Sequence, residues 1–162
     1  MTKHTPPAAP VHENQGELLT LLNQRLAEAV DLQMKMKQAH WNVKGANFIG
    51  LHQLFDSIAE AVAAYVDEIA ERIVQLGGVA EGTVRVSAAR SRLADYPLVI
   101  SDGLAHVEAV GKALATFRHE VRNTVGEAEE LDDVETADLF IGMSRSLDKW
   151  VWFVEAHAHV PG

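Results

Sequence analysis

Residues 51–76 carry the tightest constraint in this chain. Leu51, Phe55, Ile58, Val62, Tyr65, Ile69, Ile73 and Leu76 recur at threes and fours, a helical period that no strand can follow, and Gly77 and Gly78 end the run. The spacing predicts a helix over about 47–76. Such a stripe needs apolar surface to cover it, and the rest of the chain supplies three more. Leu22, Leu26, Ala29 and Met36 mark a helix over 17–43 that stops before Gly45. Leu104, Val107, Leu114, Phe117, Val121 and Val125 mark another over 102–127, with Asp102 placed to cap it. Phe140, Met143, Leu147, Val151 and Val154 mark the last over 132–158, where Asp132 and Glu135 have capping-box spacing. A link of roughly two dozen residues around Tyr96-Pro97 joins the second helix to the third, too long for a hairpin. The expected fold is all-α, a four-helix bundle with one long crossover, spanning 17–159. Residues 1–16, with Pro6, Pro7 and Pro10, read as a flexible arm.

Composition narrows the chemistry. The chain has no cysteine, which excludes disulfides, thiolate zinc sites and iron–sulfur clusters and leaves His and carboxylates as its strong metal ligands. Lys and Arg number 14 against 23 Asp and Glu, a net charge of −9 that opposes nucleic-acid binding. No apolar run reaches the roughly 18 residues of a membrane span, and the first residues lack the apolar core of a secretory signal, so a cytoplasmic protein is expected.

Carboxylate-bridged metal sites inside four-helix bundles use Glu-x-x-His pairs. No Glu here has a His three residues later. A different constellation lies on the second helix, where His52 and Asp56 are four apart and Asp67 and Glu71 are four apart, each pair on one face. At about 100° per residue these four fall opposite the apolar stripe. A polar face opposite a core is ordinarily just solvated. This one has no Lys or Arg and carries Ala59, Ala63 and Ala70, as a face built for close approach of another helix does. The midpoints of the two pairs lie roughly 22 Å apart, so one chain cannot bring them to one metal. Both the outer and the inner pairing are centred between Ala61 and Val62. Two copies crossing antiparallel at that point bring His52 and Asp56 of one onto Asp67 and Glu71 of the other, twice, as an isologous dimer does. His40 extends the stripe of the first helix and is either a core histidine or a further ligand. Two His and three carboxylates suit Fe(II) or Mn(II), with zinc as a competitor.

At these residues the chain resembles the Dps family of mini-ferritins. The stretches KQAHWNVKGANFIGLHQLFD (37–56) and DEIAERIVQLGG (67–78) match that family's signature, and similarity continues through DYPLVI, VRNTVGEAEE and SRSLDKWVWFVEAH. The resemblance implies a ferritin-like fold and a hollow homododecamer with ferroxidase centres at its two-fold interfaces. These centres oxidise Fe(II), two ions per centre, with hydrogen peroxide or dioxygen and pass Fe(III) to a mineral store. It also implies that His40, His52 and Asp56 of one subunit and Asp67 and Glu71 of its partner are the ligands. Trp41 falls where the family places an aromatic beside the site, or else merely packs.

DNA-condensing members commonly use Lys/Arg-rich tails. Here Lys3 and Glu13 cancel and HAHVPG has neither Lys nor Arg, so weak or absent DNA binding is expected. The rival reading is a nucleoid-associated DNA-protecting protein with secondary iron chemistry; a purely structural oligomer is the third. Seven acids and no base lie between Glu127 and Asp138. They read as a solvated turn, or by the resemblance as a cation pore lined by Asp133 and Asp138.

Overall fold

Four amphipathic stripes must find one another, and in the computed structural model, which describes residues 14–158, they do so as two helical hairpins. The first pairs α1 (Gln15–Asn42) with α2 (Phe48–Gln75); the second pairs α4 (Gly103–Glu130) with α5 (Val134–Glu155). Contacts of α1 with α4 and of α2 with α5 close the bundle, and no strand occurs among the described residues. The periodicity is satisfied inside. Phe55, Phe117 and Phe140 are fully buried among Leu22, Leu26, Met36, Ile58, Ile69 and Leu114, each worth about 1.5–3 kcal/mol of transfer free energy. No helix is long and apolar enough to cross a membrane, among the described residues.

Helix ends differ from expectation in three places. Helix α1 already begins at Gln15, inside the stretch expected to belong to the arm, while Pro6, Pro7 and Pro10 lie outside the described residues. Helix α4 runs on to Glu130, and Asp132 terminates it rather than starting α5. With φ 59°, Asp132 takes the left-handed position of a Schellman turn, in which Asp132 N–H donates to Glu129 O (3.1 Å) and Asp133 N–H to Ala128 O (2.9 Å). The cap of α5 is therefore Asp133, which accepts from Thr136 N–H at 3.0 Å. The third difference lies in the crossover, which contains a short helix, α3 (Val84–Arg90), laid against α1. Asn23 and Gln24 of α1 hold this segment, through Asn23 Nδ2 to Val79 O (3.1 Å) and Gln24 Nε2 to Arg90 O (2.8 Å).

The α1–α2 turn is pinned from the far hairpin. Lys44 N–H donates to Ser101 O at 2.8 Å, and Asp102, the next residue, caps α4 by accepting from Ala105 N–H. This fastens the end of α1, where His40 sits, to the start of α4.

Candidate metal centre

His40 lies in the last turn of α1 and His52 in the second turn of α2. The tight turn between those helices brings them face to face, with ring centroids 3.7 Å apart and planes 17° from parallel. Their hydrogen bonds are reciprocal. His40 Nδ1 is 2.6 Å from the His52 carbonyl oxygen, and His52 Nδ1 is 2.7 Å from the His40 carbonyl oxygen. A carbonyl only accepts, so each ring donates from Nδ1, and in the neutral ring this leaves the lone pair on Nε2, the form a metal takes. The backbone makes this possible. His40 O falls in the last turn of α1, where carbonyls lack intrahelical donors, and Lys44 N–H is already spent on Ser101. Both rings are half-buried, and Phe48 packs 5.0 Å from His52.

Asp56 follows one turn after His52. Its carboxylate accepts from Lys37 Nζ at 2.6 Å, a cross-helix ion pair with both side chains about a third exposed. That ammonium hydrogen bond, against a smaller opposing effect of burial, holds the Asp56 carboxyl below the usual carboxylate range. Trp41, 58% exposed, lies beside the pair, with its ring centroid 5.9 Å from Lys37 Nζ. Asp67 and Glu71 are exposed further along α2. Within one chain no three of these side chains form a group that could hold a metal, among the described residues. The structure thus brings His40 and His52 together, leaves Asp56 one turn further along α2 and paired to Lys37, and keeps Asp67 and Glu71 apart from all three. Lys37 was the residue that periodicity missed: the α2 face has no base of its own, and the one it meets comes from α1.

The interior of the bundle holds an ion pair of the protein's own. Arg25 and Glu28 are buried at 4% and 0% exposure, with Arg25 Nη1 2.5 Å from Glu28 Oε2. Arg25 also reaches Glu120 and Thr124 of α4, both at 2.8 Å.

The two pore candidates part company. Asp138 is exposed, whereas both oxygens of Asp133 accept from Arg72 Nη2 at 2.9 Å while the same carboxylate caps α5. Partial burial alone would raise the Asp133 carboxyl, but the Thr136 N–H and the Arg72 guanidinium outweigh it, and the net shift is downward. Its charge is committed to structure, so a lining role for Asp133 does not fit its surroundings.

Fold and site together define a ferritin-like helical protein whose candidate metal ligands lie on the outside of the bundle, and the ferritin-like domain family matches residues 19–160. Among curated relatives, the DNA protection during starvation protein of Agrobacterium fabrum is 39% identical over 143 residues, 88% of each chain. That of Mycolicibacterium smegmatis is 35% identical, covering 91% of this chain and 80% of the relative. The solved structure of DpsA14 from Streptomyces coelicolor superposes with a TM-score of 0.89 at 37% identity, covering 99% of this chain and 94% of that one. The chain belongs to the Dps family.

Proposed function

We propose that the chain is a ferroxidase and iron-storage subunit. Two copies meet about a two-fold axis near Ala61 and Val62, and His40, His52 and Asp56 of one subunit join Asp67 and Glu71 of the partner subunit. The observation that supports this most is the reciprocal His40–His52 pair, which holds two imidazoles with Nε2 lone pairs one turn from Asp56. The self-complementary spacing on α2 completes the donor set. Mixed imidazole and carboxylate donors suit Fe(II), which is the substrate here, and admit zinc as a competitor. Each of two Fe(II) gives up one electron, the O–O bond of hydrogen peroxide breaks, two protons are taken up and two waters leave. Dioxygen is the alternative oxidant. Pairing the two electrons at one centre avoids one-electron reduction of peroxide to hydroxyl radical.

Twelve such subunits close into a hollow cytoplasmic shell that keeps Fe(III) as mineral. Cations are drawn in past the acidic turn between α4 and α5, where Asp138 is exposed. The relatives are named for DNA protection, and removing Fe(II) and peroxide together protects DNA without touching it. With a net charge of −9 per chain, this protein binds DNA weakly or not at all near neutral pH. A gel-retardation titration of supercoiled DNA at pH 8 and low salt should show no stoichiometric shift; a sharp one contradicts this.

The site itself is tested by replacing both histidines, His40→Gly and His52→Gly. Peroxide-driven Fe(II) oxidation should slow by at least tenfold while light scattering reports an unchanged particle. Wild-type kinetics in that variant would sink the assignment.

A further inference from the structure

Between the crossover and α4 lies a cavity of about 300 Å³, at the small end of the range that organic ligands occupy. Its two walls are unlike. Helix α4 contributes Ala105, Ala109 and Ala113, each four residues from the next and therefore stacked on one face, a wall without protruding side chains. The crossover contributes Tyr96 and Ile100. The Tyr96 hydroxyl is already bonded to His106 Nδ1 at 2.7 Å, so the tyrosine offers the cavity an anchored ring rather than a free polar group. A smooth aliphatic wall facing an aromatic one suits a flat apolar body.

Lys35 of α1 also borders this cavity, and its side chain is only 9% exposed. An ammonium has three N–H donors. Asp31 is the one acceptor that Lys35 has among the described residues, and the other oxygen of Asp31 is taken by Ser91 Oγ at 2.6 Å. The remaining donors of a nearly buried cation are left for whatever fills the cavity, since leaving them unserved is costly. Lys112 lines the cavity too and adds a second positive charge. Asp95 and Glu108 are exposed there, where water screens their repulsion of an anion.

We propose that this slot binds a small aromatic monocarboxylate, with its ring between the α4 alanines and the crossover and its carboxylate on Lys35. A free phosphate would serve the ammonium and leave the apolar walls unused; a neutral ring would fill the walls and leave the ammonium donors unserved. The slot therefore selects for both halves in one molecule. None of the candidate metal ligands lines it, so the proposal stands apart from the metal-site reading.

The test is calorimetric titration of the whole assembled protein with benzoate near neutral pH. Binding should be saturable, one benzoate per subunit, with a Kd of about 1 mM or tighter for a ligand of this size. Benzyl alcohol, which keeps the ring without the charge, and inorganic phosphate should each bind at least tenfold more weakly. Ala109→Leu fills the slot and should abolish binding, with Ala113→Leu in its place if light scattering shows that Ala109→Leu fails to assemble. Lys35→Met should weaken benzoate at least tenfold, and Lys35→Gln stands in on the same condition. The proposal is overturned if wild type shows no saturable binding, if benzyl alcohol or phosphate matches benzoate, or if the filled-slot or Lys35 variants bind benzoate as wild type does.

Discussion

Replacing Arg25 by Met tests whether the buried ion network is an obligate unit. Glu28 is completely buried, and its two oxygens are served by Arg25 Nη1 at 2.5 Å and Gln24 Nε2 at 2.9 Å. Removing the guanidinium strands a carboxylate in the bundle interior, a class of change that costs about 3–5 kcal/mol. Arg25→Met should therefore lose about that much. Glu28→Leu is milder, because Arg25 keeps Glu120 and Thr124; we expect about 1–2 kcal/mol. The double substitution should return to within about 2 kcal/mol of wild type. Of the groups it leaves behind, Glu120 is 30% exposed and reaches water, and Thr124 Oγ1 still donates to Glu120 O at 2.8 Å. The coupling between the two sites is thus at least about 2 kcal/mol. Urea unfolding followed by far-ultraviolet circular dichroism measures it, at one fixed protomer concentration because assembly shifts apparent stability. If Arg25→Met stays within about 1 kcal/mol of wild type, or if the double variant is as unstable as the sum of the singles, the reasoning about the buried pair is wrong.

Two further predictions concern stability. Asp133→Ala removes both the α5 cap and the anchor of Arg72 and should cost about 1–3 kcal/mol, with Asp133→Asn costing less because an amide oxygen still caps; urea midpoints of the two variants decide, and an equal loss contradicts the split. His106 is 1% exposed, hydrogen-bonded through Nδ1 to the Tyr96 hydroxyl at 2.7 Å, and burial lowers its pKa against smaller opposing effects of nearby carbonyls and Asp102. Its contribution is therefore intact above about pH 6.5 and falls below it, where the unfolded chain takes the proton first, by at most about 1.4 kcal/mol per pH unit. Urea midpoints at pH 7.5 and 5.5 should differ more in wild type than in His106→Asn; equal pH dependence in the two refutes this.

The site was half legible. Helical spacing alone put His52 with Asp56, kept Asp67 and Glu71 away from them, and pointed to a second copy as the way to join them. The pairing of Lys37 with Asp56 was not legible, because the two are 19 residues apart on different helices and only the angle of the α1–α2 hairpin brings them to 2.6 Å. The tautomer of the histidines was equally hidden, since it depends on the carbonyl that the α1–α2 hairpin brings to each ring, that of His52 in α2 and that of His40 at the end of α1. Helix α3 escaped because seven residues are too few to show a period, and it is held from α1, where Gln24 donates to Arg90 O at its end and Asn23 to Val79 O ahead of it. At the α4–α5 corner, acids at both 132 and 133 satisfy a capping rule, and only the left-handed backbone at Asp132 says which of them caps.

Four long helices, one long crossover and an external carboxylate face were determined by the sequence itself, because period, breakers and caps act over one or two turns and are written in consecutive residues. What the tertiary structure decided is which charges meet: Arg25 with Glu28, Glu120 and Thr124 in the bundle interior, Lys37 with Asp56 at the candidate centre, and Arg72 with Asp133 at the corner. Most of these partnerships cross between elements distant in the chain. Helix packing angle and side-chain reach set them, and neither is encoded by local pattern.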